Sequence, residues 1–168
     1  MSRRLRWWLG LGVQALLIVV VVLAVRAYVS RDLIDGPFPD IAVETLDGEA
    51  IILGGAAERP QVIHVWATWC PICRFEDGEI QRLAADHPVV TIAMQSGSAD
   101  DVRAHLAEQG SNLVVANDPD GRIAAALGVR AVPSTFLLDT HGQIRYRKQG
   151  YAPPGELRLR LWWLGQFD

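Results

Sequence analysis

The order of apolar and polar positions divides the chain into two zones. From Trp7 to Val25 no residue carries a formal charge, and Gln14 is the only strongly polar side chain. At about 1.5 Å per residue, this run matches the thickness of a hydrocarbon core, and it is apolar on every face. It predicts one transmembrane helix within residues 1–29. Beyond it, short β-rich runs alternate with stretches of helical spacing. Ile41–Leu46 and Glu49–Leu53 flank Asp47-Gly48, a two-residue hairpin signal. Gln61–Ala67 is an apolar strand, and Arg74–Asp86 has helical spacing in Phe75, Ile80, Leu83 and Ala84. Val89–Met94 reads as a buried strand. Ser98–Gln109 reads as a helix capped by Ser98 or Asp100 and stopped by Gly110. Asn112–Ala116 is a short strand and Arg122–Leu127 a short helix. Thr135–Asp139 and Ile144–Gln149 form a closing hairpin, and a last helix runs from Pro153-Pro154-Gly155 through Leu164. Strands alternating with helices predict an α/β domain, a mixed central sheet covered by helices on both faces.

Charge orients the first zone. Arg3, Arg4 and Arg6 precede the span, whereas Arg26 and Arg31 follow it, the latter near Asp32 and Asp35. This bias places the N-terminus in the cytoplasm and the following domain outside, with Trp7, Trp8 and Tyr28 at the membrane edges. The expected location is therefore the inner membrane, single-pass, with a periplasmic domain. A cleaved signal peptide is the alternative, but the run exceeds the usual ~7–15 residues and Val25-Arg26-Ala27 is a poor cleavage site. Residues 30–40, polar with Gly36, Pro37 and Pro39, read as a tether, leaving 41–168 as one domain of ordinary size. All 19 acidic residues lie beyond residue 30 with 12 of the 16 basic ones, leaving a charge of −7 there. That argues against a nucleic-acid partner.

The candidate chemistry lies in Trp69-Cys70-Pro71-Ile72-Cys73, which holds both cysteines of the chain where a strand passes to a helix. Cysteines three apart at a helix start share one face at a Cα separation a disulfide tolerates. Pro71 suits the first helical turn. Free N–H groups and the helix dipole favour a thiolate there, so Cys70 is expected to have a lowered pKa and act as nucleophile, with Cys73 resolving. A structural disulfide is the plainer alternative, although a loop of two intervening residues constrains little of the unfolded chain. Half of a metal site is another, but His64, His87, His105 and His141 are scattered singly.

His64-Val65-Trp66-Ala67-Thr68-Trp69-Cys70-Pro71-Ile72-Cys73, with Ala131-Val132-Pro133-Ser134-Thr135 some sixty residues later, resembles the thioredoxin fold. The likeness is to its membrane-tethered branch, the TlpA, ResA and CcmG group and the related ScsD-type oxidoreductases, over about residues 37 to 165. Phe38-Pro39-Asp40, the extra helix and strand before the proline loop, and the Asp139-x-x-Gly142 hairpin add to it. The resemblance implies a thioredoxin-like fold with an N-terminal hairpin and an inserted helix and strand. It implies a thiol–disulfide oxidoreductase needing no cofactor, with protein thiol or disulfide substrates and a transmembrane electron donor. It also implies that Pro133 is cis and faces the cysteines, so that Val132, Pro133, Trp69 and Pro71 border the substrate. Reduction is the favoured direction, in a role of the cytochrome c maturation, copper or oxidative-stress type. Ser134 departs from the cytochrome c maturation reductases, where a glutamate follows this proline.

Two titratable residues are candidates for proton transfer. Strand alternation puts His64 and Trp66 on one face; if that face underlies Cys73, the imidazole can take the resolving thiol's proton, and otherwise His64 is a packed histidine. Glu76, three residues after Cys73, either opposes a nearby thiolate or lies on a solvated helix face with Asp77 and Glu79. Trp66 is expected in the core and Trp69 at the rim, with Trp162 and Trp163 packed. A copper or metal chaperone using the same cysteines is the competing function, since thiolates select Cu(I). A thiol peroxidase is disfavoured, because Thr68 stands two residues before Cys70 and not three.

Overall fold

The computed structural model describes residues 3–153 and 155–167. Pro154, placed by its sequence at the start of the last helix, lies outside the described residues. By contact the chain divides after Arg31 into two units. The first is helix α1 (Arg3–Val29), whose segment Leu11–Val29 is long and apolar enough to cross a membrane. Among its described residues, apolar side chains such as Leu16 and Val21 are exposed.

The second unit carries the remaining elements. A hairpin of β1 (Ile41–Glu44) and β2 (Ala50–Leu53) forms a small sheet of its own. The main sheet is built from β3 (Gln61–Trp66), β4 (Val89–Met94), β5 (Val114–Asp118), β6 (Ser134–Leu138) and β7 (Ile144–Gln149), in the order β5-β4-β3-β6-β7. The pairs β3/β4 and β4/β5 are parallel, whereas β3/β6 and β6/β7 are antiparallel. The helices are α2 (Pro71–Ala84), α3 (Ala99–Gln109), α4 (Arg122–Ala126) and α5 (Glu156–Phe167). This is a thioredoxin-like α/β fold with a mixed sheet.

Alternation along β3 divides the core. Val62 and Trp66 face α2, α3 and α5, where Ile80, Leu83, Val102, Leu157 and Leu161 are buried. Ile63 and Val65 face the opposite layer of Leu33, Phe38, Leu53, Ala124 and Leu127. Each fully buried aliphatic side chain contributes about 1.5–3 kcal/mol. Local chemistry fixes the ends. Ser98 and Asp101 form a capping box on α3, and Gly110 ends that helix in the left-handed region. Glycine caps α4 without a side chain, so Asp118 instead accepts from the Ile123 and Ala124 N–H groups. In the β6–β7 turn, Asp139 accepts from His141 and Gln143 N–H and from Arg145. Burial pushes its carboxyl up, but those bonds outweigh it and hold the group below its ordinary range.

Several sequence expectations change. Helix α2 starts at Pro71, because Cys70 caps it, and its inward stripe is Cys73, Glu76, Ile80 and Leu83. Phe75 falls off that stripe and is 77% exposed, while Glu76 is only 4% exposed, so the solvated-face reading of Glu76 fails. Trp162 and Trp163 are largely exposed rather than packed. Strand β5 begins two residues later than its composition suggests, and β6 one earlier. The segment read as tether is partly core. Leu33 and Phe38 are buried, and the Ile34 N–H donates to the Leu127 carbonyl oxygen.

Gly128 permits that attachment. It sits at φ +69°, and a Cβ there would run into the Asp32 carbonyl and Leu33 Cα. Gly128→Ala is therefore expected to destabilise the folded domain by about 2 kcal/mol or more, measured by urea unfolding.

Candidate active site

The site forms where β3 leaves the sheet and β6 enters it. Register pairs Val65 with Ser134, so the Trp66–Cys70 exit and the Val132–Pro133 loop become neighbours. The exit is pinned to the end of β4. Thr68 N–H donates to Ser96 Oγ at 3.0 Å, and Trp69 Nε1 donates to the Gln95 carbonyl at 3.0 Å. Cys70 then takes the extended conformation of an N-cap (φ −91°, ψ 109°), with Pro71 in the first turn. Its sulfur accepts the Cys73 N–H at 3.1 Å, as a capping side chain does. A disulfide joins Cys70 and Cys73 across a Cα separation of 5.3 Å.

The opposing loop is held as firmly. The Val132–Pro133 peptide is cis, as the resemblance implied. The Val132 carbonyl oxygen lies 3.8 Å from Cys70 Sγ. Ser134 Oγ donates to the Ala131 carbonyl, Gln149 Oε1 accepts from the Arg130 and Ala131 N–H groups, and Gly150 N–H donates to the Pro133 carbonyl at 2.7 Å. Cys70, Cys73, Trp69, Pro71, Val132 and Pro133 are thus gathered at one place. Both cysteines are almost fully buried and Trp69 stands out at the rim, 58% exposed.

Beneath the disulfide, His64 sits in β3 between Thr91 and Thr135 on its two neighbours. Its Nδ1 is 3.0 Å from Thr135 Oγ1, and burial pushes its pKa down to about 4. His64 and Cys73 border one small cavity, which Trp66, Asp77 and His105 also line. The face carrying His64 does underlie Cys73. Glu76 lies behind the pair, one turn along α2. Its Oε1 accepts the Ala152 N–H at 2.6 Å, and Oε2 is buried without a hydrogen-bond partner. Burial pushes this carboxyl up to about 7, against the downward pull of the Ala152 N–H and of Lys148. Among the described residues, no group of three or more His, Cys, Asp or Glu side chains is placed to hold a metal ion.

Residues that escaped the sequence reading are Ser96, Gln149 and the 150–152 loop. They act through hydrogen bonds formed across 28, 19 and 76 residues of separation. The 3-4-3 spacing of Cys73, Glu76, Ile80 and Leu83 is a signal that could have marked Glu76 as inward, but the sequence reading runs its helical stripe through Phe75 instead.

A disulfide capping a helix start and facing a cis-proline loop, on this sheet order, defines a thioredoxin-like thiol:disulfide oxidoreductase. Residues 34–159 match the Redoxin family, and the chain belongs to it. It is 34% identical over 136 residues to the thiol:disulfide interchange protein DsbE of Escherichia coli strain K12, covering 77% of this chain and 70% of that protein. It is 26% identical over 152 residues to a thioredoxin-like protein of Haemophilus influenzae, covering 89% and 90%. Among solved structures it is similar to MTB DsbF, with a TM-score of 0.64 at 27% identity, covering 74% of this chain and 95% of that one. Its function is thiol:disulfide interchange.

Proton linkage of the two buried groups has opposite signs. His64 is neutral in the folded state down to about pH 4, whereas an unfolded histidine protonates near 6.5. The unfolded chain therefore binds more protons between those values, and stability falls as pH drops from 6.5 to 4. Glu76 keeps its proton up to about 7, against 4.5 when unfolded, so its contribution is present below 4.5 and lost as pH rises to 7. In urea melts across this range, His64→Asn should remove an acid-side loss of up to about 3 kcal/mol, and Glu76→Gln a loss of similar size on the way to neutrality. Parallel pH profiles in wild type and both variants would contradict these assignments.

Proposed function

We propose that the chain is a membrane-tethered disulfide reductase acting on protein disulfides outside the cytoplasm, with Cys70 as nucleophile and Cys73 as resolving thiol. The observation that best supports this is the cysteine pair at a proline-started helix N-terminus beside the cis Val132–Pro133 peptide. The Cys73 N–H that meets the Cys70 sulfur, together with the helix dipole, favours negative charge on Cys70.

The Cys70 thiolate attacks one sulfur of a substrate disulfide. That bond breaks, the second substrate sulfur leaves as a thiolate, and Cys70 is joined to the substrate. Cys73 then gives up its proton and attacks Cys70 Sγ, releasing the first substrate sulfur. The substrate gains two electrons and the Cys70–Cys73 disulfide is left behind. An extended substrate segment pairs along the Val132–Pro133 backbone as an added strand does. His64, which borders the same small cavity as Cys73, and Glu76, one turn further along α2, are the proton acceptors assigned to that thiol. Glu76 suits the task by its poise near neutrality, and His64 by bordering the same cavity as the thiol.

The tether is supported by α1, and the outward orientation by the arginines before it. The reducing direction is supported by the likeness to the tethered TlpA, ResA and CcmG group. A reductase outside the cytoplasm needs electrons from a transmembrane donor, because that compartment holds no reducing buffer.

Cys73→Ser is expected to accumulate a mixed disulfide on Cys70, visible on non-reducing gels, and Cys70→Ser essentially none. Equal trapping would reverse or cancel the assignment. Equilibration with glutathione should give a potential near about −270 mV, whereas one near about −120 mV would make the protein an oxidant. A reporter joined to the C-terminus should work only if it is of the kind active outside the cytoplasm.

A further inference from the structure

Charge is unevenly spread along the chain beyond residue 30. Residues 143–168 hold five basic side chains, Arg145, Arg147, Lys148, Arg158 and Arg160, against Glu156 and Asp168, a net charge of +3. Residues 31–142 hold seven basic side chains against seventeen acidic ones, a net charge of −10. The basic stretch is the edge strand β7 and the last helix, α5. Arg145 and Arg160 pair with Asp139 and Glu156, yet their side chains stay 54% and 46% exposed.

Apolar side chains stand out on the same helix. Leu157 and Leu161 are buried, whereas Leu159, Trp162 and Trp163 are 65%, 59% and 58% exposed. The spacing of three and four residues puts these three on one face. With Arg145, Tyr146 and Arg160 they border an open groove of about 790 Å³. The Arg160 guanidinium lies over the Tyr146 ring, 4.0 Å from its centroid. An apolar patch rimmed by charge marks an interaction surface, and the thiol chemistry does not use this one.

Indoles beside arginines on one helix face suit the boundary of a bilayer, where rings sit at headgroup level and guanidinium groups meet lipid phosphates. The chain also enters the domain along β7. Arg147 of that strand donates to the Leu33 carbonyl at 2.6 Å and pairs with Asp35 at 3.1 Å. Val29 ends α1 and Leu33 is already core, so only residues 30–32 lie between them. Fully extended, that connection reaches about 14 Å. If α1 spans a bilayer, the domain is held at its surface through the edge that carries its positive charge. We propose that the Leu159, Trp162 and Trp163 face of α5, with Arg145 and Arg160, docks onto the surface of a bilayer containing anionic lipid. A second copy fits less well, because a two-fold contact would set this basic face against itself. The inference rests on the membrane-tether reading and adds a second, peripheral contact to it.

The test uses the full chain reconstituted into phosphatidylcholine vesicles, with or without added phosphatidylglycerol. Both carry a trace of phosphatidylcholine with a photoreactive group near its glycerol backbone, and labelled peptides are mapped by mass spectrometry. In the anionic vesicles, α5 should be labelled well above α3, and the label should fall when phosphatidylglycerol is left out. Trp162→Ser combined with Trp163→Ser should remove most of the α5 label, and Arg160→Gln should lower it by up to about fivefold, as expected for one surface cation. Labelling of α1 and exchange with glutathione should stay unchanged in these variants, which shows that they are inserted and folded. Label on α1 with none on α5 above the α3 level, or α5 label that survives the double serine variant, overturns the docking. Equal α5 label in both kinds of vesicle overturns the choice of an anionic surface. Chemical cross-links between the α5 helices of two copies, without lipid label, would give the face to a dimer and overturn the proposal. Absence of label from α1 itself would instead overturn the tether reading on which the docking rests.

Discussion

The pairing of β3 on both edges is the constraint on which the site depends. Its antiparallel ladder with β6 sets Val65 against Ser134, and through that one register the exit from β3 and the start of β6 meet. Cys70 and Pro133 are far apart in the chain, and no local preference brings them together. A shift of one residue would also turn Val62, His64 and Trp66 toward the layer now facing Ile63 and Val65. The near-complete burial of β3 on both faces makes such a shift expensive. The sheet therefore works as a positioning device, and the loops at its end inherit its precision.

Around that junction the protein keeps two titratable groups out of water, with opposite consequences. The imidazole of His64 is held neutral by burial, and the carboxyl of Glu76 is pushed toward neutrality, so neither carries a full charge into the core at moderately acidic pH. Burying polar groups in this way costs stability unless they find partners. Thr135 meets one nitrogen of His64, while Glu76 has one oxygen satisfied and one bare. Such imperfect satisfaction next to a reactive pair is the kind of arrangement that function sustains against stability.

The two sides of α2 divide the work. Its inner stripe places Cys73 and Glu76 in the interior, and its outer surface leaves Ile72 and Phe75 in solvent beside the disulfide. The 150–152 loop spans both sides, bonded through Ala152 to the buried Glu76 carboxyl and setting the Tyr151 ring beside that of Phe75. Inward Cys73 and Glu76 and outward Ile72 and Phe75 are thus neighbouring residues of one helix, and the Ala152 N–H ties the inner stripe to the loop that carries Tyr151.

Much of this was legible in the sequence, because it depends on local physics. Apolar run length marked the long first helix, alternation marked the strands, and Asp47-Gly48 marked the hairpin that forms. The cysteine pair with Pro71 marked a helix start, since a cap and an N1 proline act within one turn. The role of His64 as a residue under Cys73 followed from period-two alternation once the helix was placed above that face. Tertiary structure alone decided the rest. Phe75 points outward and Glu76 inward because packing of Ile80 and Leu83 fixes the rotation of α2, and a charged residue at the inward position is tolerated only where a distant N–H meets it. Leu33 and Phe38 join the core, although their segment reads as a linker, because Gly128 lets the backbone of that segment approach. Trp162 and Trp163 stay outside because the inward positions of α5 belong to Leu157 and Leu161. In each case the deciding contact lies many residues away, and a linear pattern carries no record of which distant surface a side chain will meet.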